Sequence, residues 1–145
     1  MANKDRKKIL AVDDDPFQLS YLEIILNEEH DIIVACSGEE ALGYLNNGLI
    51  PDIVLLDILM PNMNGYEVYE KIRAIQPMQD IPIVFLTSQD GADNVQQALD
   101  IGAADYIMKP YNEENLIRRI QNAIVTYEFK RMKKEKQQNR ISATN

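Results

Sequence analysis

The run Ile53-Val54-Leu55-Leu56-Asp57-Ile58-Leu59-Met60-Pro61 constrains this chain more than any other stretch. A continuous apolar run reads as a strand buried on both faces, the situation of an inner strand in a parallel sheet. It meets an acid at Asp57 and breaks at Pro61. Open α/β sheets present their ligand sites at the carboxyl ends of strands, so Asp57 stands where chemistry is done. An acid there can equally do no more than cap a turn. The rest of the chain has to decide between the two roles.

Four more strands are legible: Lys8 to Val12, Asp31 to Ala35, Ile83 to Thr87 and Asp105 to Met108. Helical stripes separate them. Asp15 before Pro16 reads as an N-cap followed by proline at the first helical position, with Leu19, Leu22, Ile25 and Leu26 facing inward and an end near His30. Ser37-Gly38-Glu39-Glu40 has the form of a capping box ahead of Ala41, Leu42 and Leu45, and Asn46-Asn47-Gly48 stops that helix. Asn64-Gly65-Tyr66-Glu67 starts a third helix with Val68, Ile72 and Ile75 on one face, ended by Gln76-Pro77. A fourth spans Asp90 to Ile101 with Val95, Ala98 and Leu99 inward, closed by Gly102; Asn112 caps a fifth with Leu116, Ile120, Ala123, Ile124 and Tyr127 inward. Five strands alternating with five helices through short connections imply an α/β fold, a parallel sheet with right-handed crossovers and helices on both faces.

Charge divides the chain. Residues 1–128 hold 9 Lys+Arg against 22 Asp+Glu, whereas residues 129–145 hold 6 against 1. An acidic globule is a poor direct binder of nucleic acid or of an anionic membrane. The basic tail, Lys130 onward, is expected to continue the last helix for a few turns and then fray through Ser142 to Asn145. It reads as a solvated helix extension, as the start of a linker, or as a basic contact site. No apolar run approaches the roughly 18–20 residues that span a bilayer, and the amino terminus lacks a signal-peptide pattern. The lone Cys36 excludes an intramolecular disulfide and is expected to be buried. A reducing, cytoplasmic setting is the default. His30, among Glu28, Glu29 and Asp31, reads as a solvated loop residue and not a metal ligand.

If the strand order is 2-1-3-4-5, the carboxyl edge gathers Asp13 and Asp14 after strand one, Asp57 after strand three, Thr87 after strand four and Lys109 after strand five. Crowded carboxylates without Cys or His ligands suit a hard cation such as Mg²⁺. A metal alone would need neither Lys109 nor Thr87; a phosphoryl group, with negative charge on several oxygens, would use both. Amides just beyond Asp57 and Thr87 could add donors.

The acid pair after strand one, Asp57-x-x-Met60-Pro61 with Gly65 following, Thr87-Ser88 and Lys109-Pro110 together resemble the receiver (response-regulator) domain of two-component signalling. The resemblance covers about residues 6–127. It implies a flavodoxin-like five-stranded sheet of order 2-1-3-4-5, a receiver domain over 1–127 and a basic extension or linker over 128–145. It further implies Asp57 as phospho-acceptor, with Mg²⁺ held by Asp14, Asp57 and the Leu59 backbone carbonyl and helped by Asp13 through water. Thr87 would be the switching hydroxyl, Tyr106 the aromatic that follows it, and Lys109 the phosphate's ion-pair partner, next to a cis Lys109–Pro110 bond. Implied partners are a sensor histidine kinase or phosphotransfer protein, and a target or output domain on the face made by helix four, strand five and helix five. That face also makes a phosphorylation-dependent homodimer in some relatives, using basic residues on helix four, and Asp90 to Ile101 contains none. Asn64 stands where Asp is frequent, and Leu59 and Gln89 border the expected path of attacking water. An Asp-nucleophile phosphohydrolase would place a second acid at Leu59 to act as general acid. A nucleotide-binding domain would need a Gly-rich loop after strand one. The chain has neither.

Overall fold

The computed structural model describes residues 6–88 and 95–144. In chain order the elements are β1 (Lys8–Val12), α1 (Pro16–Leu26), β2 (Asp31–Ala35), α2 (Gly38–Asn46), β3 (Ile53–Asp57), α3 (Gly65–Arg73), β4 (Ile83–Thr87), α4 (Val95–Asp100), β5 (Asp105–Met108) and α5 (Glu113–Thr144). The strands form one parallel sheet of order β2-β1-β3-β4-β5. This is the parallel sheet that the strand runs imply, in the flavodoxin-like order that the receiver resemblance implies.

Strand alternation splits the interior into two layers. Leu10, Val12, Val54, Leu56, Ile83 and Phe85 face one way, against Ala41 and Leu45 of α2, Val68, Tyr69 and Ile72 of α3, and Ala98 of α4. Ile9, Ala11, Ile53, Leu55, Val84 and Leu86 face the other, against Leu19, Leu22 and Leu26 of α1 and Leu116, Ile120 and Ile124 of α5. Every residue of β3 and β4 is buried. Each such aliphatic side chain contributes about 1.5–3 kcal/mol relative to an exposed one, so the two inner strands anchor the sheet that carries the acids.

Local signals hold at most helix starts. Asp15 caps α1, accepting from the Phe17 amide at 2.9 Å, with Pro16 at the first helical position. Asn64 and Glu67 form a reciprocal capping box on α3. Ser37 caps α2 through the Glu40 amide, but the Glu40 carboxylate accepts from the Cys36 thiol at 3.1 Å. Cys36 is therefore exposed and not buried. It lies just past β2, an edge strand with only Ala35 fully buried, and the Glu40 bond and charge raise its pKa.

Other departures follow from packing. Helix α3 stops at Arg73, short of Gln76-Pro77, because the Arg73 side chain turns to the Met78 and Ile81 carbonyls and holds a compact connection there. Leu99 is exposed: α4 turns Ala98 inward, and the next residue lies about 100° round the helix. Residues 90–94 of the expected fourth helix lie outside the described residues, as does Gln89. His30 is partly buried and accepts from the Lys7 amide at 3.3 Å, so it is not a solvated loop residue; burial lowers its pKa. Helix α5 runs unbroken through Thr144 for 32 residues, past the expected fraying point. Lys134 on this extension reaches Asp80 at 3.3 Å.

Candidate functional site

Pairing register decides what meets at the carboxyl edge. Val12 lies beside Leu56, Asp57 beside Leu86 and Thr87 beside Met108. Asp13, Asp57 and Lys109 consequently leave three strand ends together. Asp13 and Thr87 are fully buried and Asp57 is 4 % exposed, while Asp14 is exposed. One carboxylate oxygen from each of Asp13, Asp14 and Asp57 lies within 4.8 Å of the other two. The Lys109 ammonium spans the buried pair, 2.7 Å from Asp13 Oδ2 and 3.4 Å from Asp57 Oδ1. The Asp15 amide donates to Asp13 Oδ1 at 3.0 Å.

These contacts set the charge states. Burial, then the neighbouring Asp13 charge, push Asp57 up to about 7 against the opposing pull of Lys109. Burial also works against the Lys109 charge, but its hydrogen bond to Asp13 and the Asp57 and Asp13 charges outweigh that, and its pKa is raised. The pocket thus contains one secure cation, and one carboxylate whose ionisation it resists. Oxygen donors alone, one of them facing solvent through Asp14, are the donor set that a divalent hard cation takes. The cluster can hold such an ion, whose charge would relieve the repulsion that raises Asp57.

Gly65 is required by close approach. Its amide donates to the Ile58 carbonyl at 2.8 Å. A Cβ there would collide with the Asp57 carbonyl oxygen and come 2.8 Å from Ile58 Cα. The start of α3 is thereby pressed against the backbone that carries Asp57. The amide immediately after Asp57 is already engaged, donating to the Leu86 carbonyl at 3.3 Å. The Leu59 side chain is half exposed beside the crevice.

The Thr87 hydroxyl donates to the Ser88 carbonyl at 3.1 Å. Tyr106, beside Phe85 in the sheet, is half-buried with the Arg119 guanidinium 6.0 Å from its ring centroid. Arg119 is held by a two-pronged pair to Asp105 at 2.9 and 3.0 Å. The Lys109–Pro110 bond is cis. Sequence reasoning overlooked Tyr111. Its hydroxyl is buried without a hydrogen-bond partner among the described residues, its ring stacks on Tyr21 at 6.3 Å, and burial followed by the Asp13 and Asp57 charges raises its pKa. Its place directly after Lys109-Pro110 was the available signal.

A doubly wound parallel sheet with a lysine-bridged acid cluster at its carboxyl edge defines a small α/β module organised around that cluster. The chain belongs to the response regulator receiver domain family, whose model matches residues 9–121. Its receiver domain is a phosphorylation-based signalling switch. It is 40 % identical over 116 residues to the DNA-binding response regulator MtrA of Mycolicibacterium smegmatis, covering 79 % of this chain and 49 % of that protein. The chain thus spans about half the length of such curated relatives. Among solved structures it is similar to a response regulator receiver domain protein from Clostridium thermocellum, with TM-score 0.77, 29 % identity and coverage of 85 % of this chain and 98 % of that one. It is also similar to a chain described as an adenylate cyclase from Rhodopirellula baltica, with TM-score 0.83, 27 % identity and coverage of 92 % and 98 %. No helix among the described residues is long and apolar enough to cross a membrane.

Proposed function

We propose that Asp57 is the phospho-acceptor, and that Asp14, Asp57 and the Leu59 carbonyl hold Mg²⁺ with Asp13 assisting through water. The observation that carries this reading is the bridging of buried Asp13 and Asp57 by Lys109 at 2.7 and 3.4 Å. A bound Mg²⁺ supplies positive charge to oxygens that would otherwise repel an incoming phosphate. The donor is a phosphohistidine on a sensor kinase or phosphotransfer protein. An Asp57 carboxylate oxygen attacks phosphorus, the O–P bond forms as the P–N bond breaks, and the imidazole leaves with the electron pair. Lys109 then pairs with a phosphoryl oxygen and holds the charge that the transfer has added.

Thr87 is the switching group in this reading. Its hydroxyl turns from the Ser88 carbonyl to the phosphoryl oxygen, and Tyr106 moves into the space it leaves. That rearrangement reaches Arg119 and Asp105 on the face formed by α4, β5 and α5, where a target or output domain reads it. A phosphorylation-dependent homodimer through that face would use the Asp105–Arg119 pair, because residues 95–100 of α4 contain no cation. The acid excess of residues 1–128 assigns any nucleic-acid contact to another segment. A cytoplasmic location belongs to the same reading.

The test is labelling with a small phosphodonor and Mg²⁺, followed by intact mass. One phosphoryl group is expected on the wild type and none on Asp57→Asn. Undiminished labelling of Asp57→Asn would refute the acceptor, and full labelling after chelation would refute the metal's role.

A further inference from the structure

At the amino ends of β4 and β5, opposite the acid cluster, two adjoining hollows of about 270 and 370 Å³ share Arg73, Asp80, Gly102, Tyr127 and Lys130. They lie between the end of α3, the turns that lead into β4 and β5, and the outer part of α5. The phosphoryl chemistry proposed for Asp57 does not use this groove, although Asp105 and Arg119 of the proposed output face lie in its lining.

Its charge is unusual for this protein. Asp105 and Arg119 cancel in their two-pronged pair, and Lys134 is matched by Asp80. Arg73, Lys130 and Arg131 remain. Among the described residues no carboxylate pairs with Arg73 or Lys130, and Arg131 makes only an exposed 3.9 Å contact to Glu135. A concave surface of excess positive charge has therefore been built on a chain of net charge −8. Such a concavity focuses its field on a small anion.

Arg73 is also pre-aimed. Its Nη1 donates to the Met78 and Ile81 carbonyls at 3.0 and 2.7 Å, and its guanidinium lies 4.8 Å from the Tyr69 ring centroid. These contacts fix the side chain without neutralising it. Its Nε and Nη2 make no hydrogen bond to a described residue. A fixed guanidinium fork suits a pair of phosphate oxygens, while lysine serves as a mobile point charge.

The geometry points to a binding site for a small ligand carrying a diphosphate group. One wall holds the rigid Arg73, and the other holds the exposed Lys130 and Arg131. A singly anchored anion satisfies one wall, whereas a diphosphate has charge for both. The hollows match the lower end of small-molecule sites, roughly 300–1,000 Å³. Arg73 belongs to the domain body, while Lys130 and Arg131 lie beyond residue 121, where the family match ends. An occupant would tie the helical extension to the body, a control independent of Asp57.

Nucleoside diphosphates and inorganic pyrophosphate share this chemistry, and an NMR titration separates them. The full-length ¹⁵N-labelled chain is titrated in chelator at low salt with pyrophosphate, ADP, adenosine and sulfate. Saturable shifts are expected at the amides of Arg73, Gly102, Ala104 and Tyr127 with pyrophosphate and ADP, at least tenfold tighter than with sulfate or adenosine. A further tenfold preference for ADP identifies a nucleotide; equal affinity identifies the diphosphate alone. Lys130→Glu/Arg131→Glu, both at exposed positions, should weaken binding at least tenfold while Asp57 labelling proceeds at the wild-type rate. Lys130→Ala gives a milder check should the double variant fold poorly. Shifts centred on the acid crevice would overturn the proposal, as would sulfate binding as tightly as pyrophosphate or unsaturable shifts across all basic residues.

Discussion

The sharpest prediction concerns the metal-free protein and Asp57→Asn. Asp57 has an ordinary value of 3.8 and is pushed up to about 7 in the fold, at a site only 4 % exposed. Between those two values the folded chain binds a proton that the unfolded chain has lost. Its stability must therefore fall as pH rises through that window and level off above it. At about pH 5 the folded carboxyl is almost wholly protonated, and at about pH 8 almost wholly ionised. The linkage integral between them is roughly 2–3 kcal/mol, at about 1.4 kcal/mol for each tenfold change. Asparagine has nearly the same shape and does not titrate. Urea unfolding of both proteins in chelator, at both pH values, gives four free energies. The difference of differences removes the titrating groups remote from Asp57, retains the response of its neighbours Asp13 and Lys109, and should favour Asp57→Asn at the higher pH by roughly 2–3 kcal/mol. A value of zero, or a relative gain by the wild type on raising pH, would refute the account of a carboxylate held against its own ionisation. In the proposed reading the same property bears on reactivity, because only the ionised carboxylate would attack phosphorus, and a cation in the cluster would favour that ionised form.

Three other perturbations test separate contacts. Gly65→Ala places a methyl group against the Asp57 carbonyl and Ile58 Cα, and should cost about 1–3 kcal/mol in urea unfolding and slow phosphodonor labelling; wild-type stability and rate together would show that α3 is not pressed against β3. Tyr111→Phe removes a buried hydroxyl that has no partner among the described residues. It should leave stability unchanged or raise it by up to about 1 kcal/mol, whereas a loss of that size would reveal a bond the hydroxyl makes. Asn64→Ala removes the side-chain half of the α3 capping box, the 3.0 Å bond that Asn64 Oδ1 accepts from the Glu67 amide, at about 1 kcal/mol; no measurable change in the urea midpoint would mean that this bond contributes nothing to α3.

The inner strands were legible because parallel strands buried on both faces leave continuous apolar runs, and β1, β3 and β4 fall where those runs do. Helix starts were legible because Asp15, Asn64 and Asn112 act on amides two or three residues away. What could not be read depends on contacts distant in sequence or on side-chain direction. Cys36 was expected inside because it follows an apolar run, yet it follows an edge strand and turns to Glu40. Periodicity places Leu99 inward, but α4 turns Ala98 to the core and Leu99 lies about 100° further round the helix. The convergence of Asp13, Asp14, Asp57 and Lys109 was legible from topology, since each follows a strand end. That Lys109 lies closer to Asp13 than to Asp57 was not, because side-chain conformation decides it. The basic groove was invisible for a related reason: Arg73 and Lys130 are far apart in sequence and meet only once α5 packs beside the turn into β4.

The bridging lysine places a further constraint on how the switch works. Asp13 is fully buried, and Lys109 is the cation that pairs with it among the described residues. If Asp57 carries a phosphoryl group, the acceptor side gains charge, since a phosphoryl group brings roughly −1.5 to −2 where a carboxylate had brought one. Lys109 is then drawn from Asp13 towards the phosphate, and Asp13 loses part of its compensation inside the protein. Leaving a buried charge unpaired costs several kcal/mol, so the two demands cannot both be met by one ammonium at its present position. Lys109 follows Met108 directly at the end of β5, and its amide donates to the Thr87 carbonyl at 2.8 Å. Tension on its side chain is therefore applied at the backbone junction of β4 and β5, which carries Thr87 and lies three residues beyond Tyr106. In this account the hydroxyl is not the sole link from the acid cluster to the β5 surface: competition for one lysine between Asp13 and a phosphorylated Asp57 acts on the same two strands.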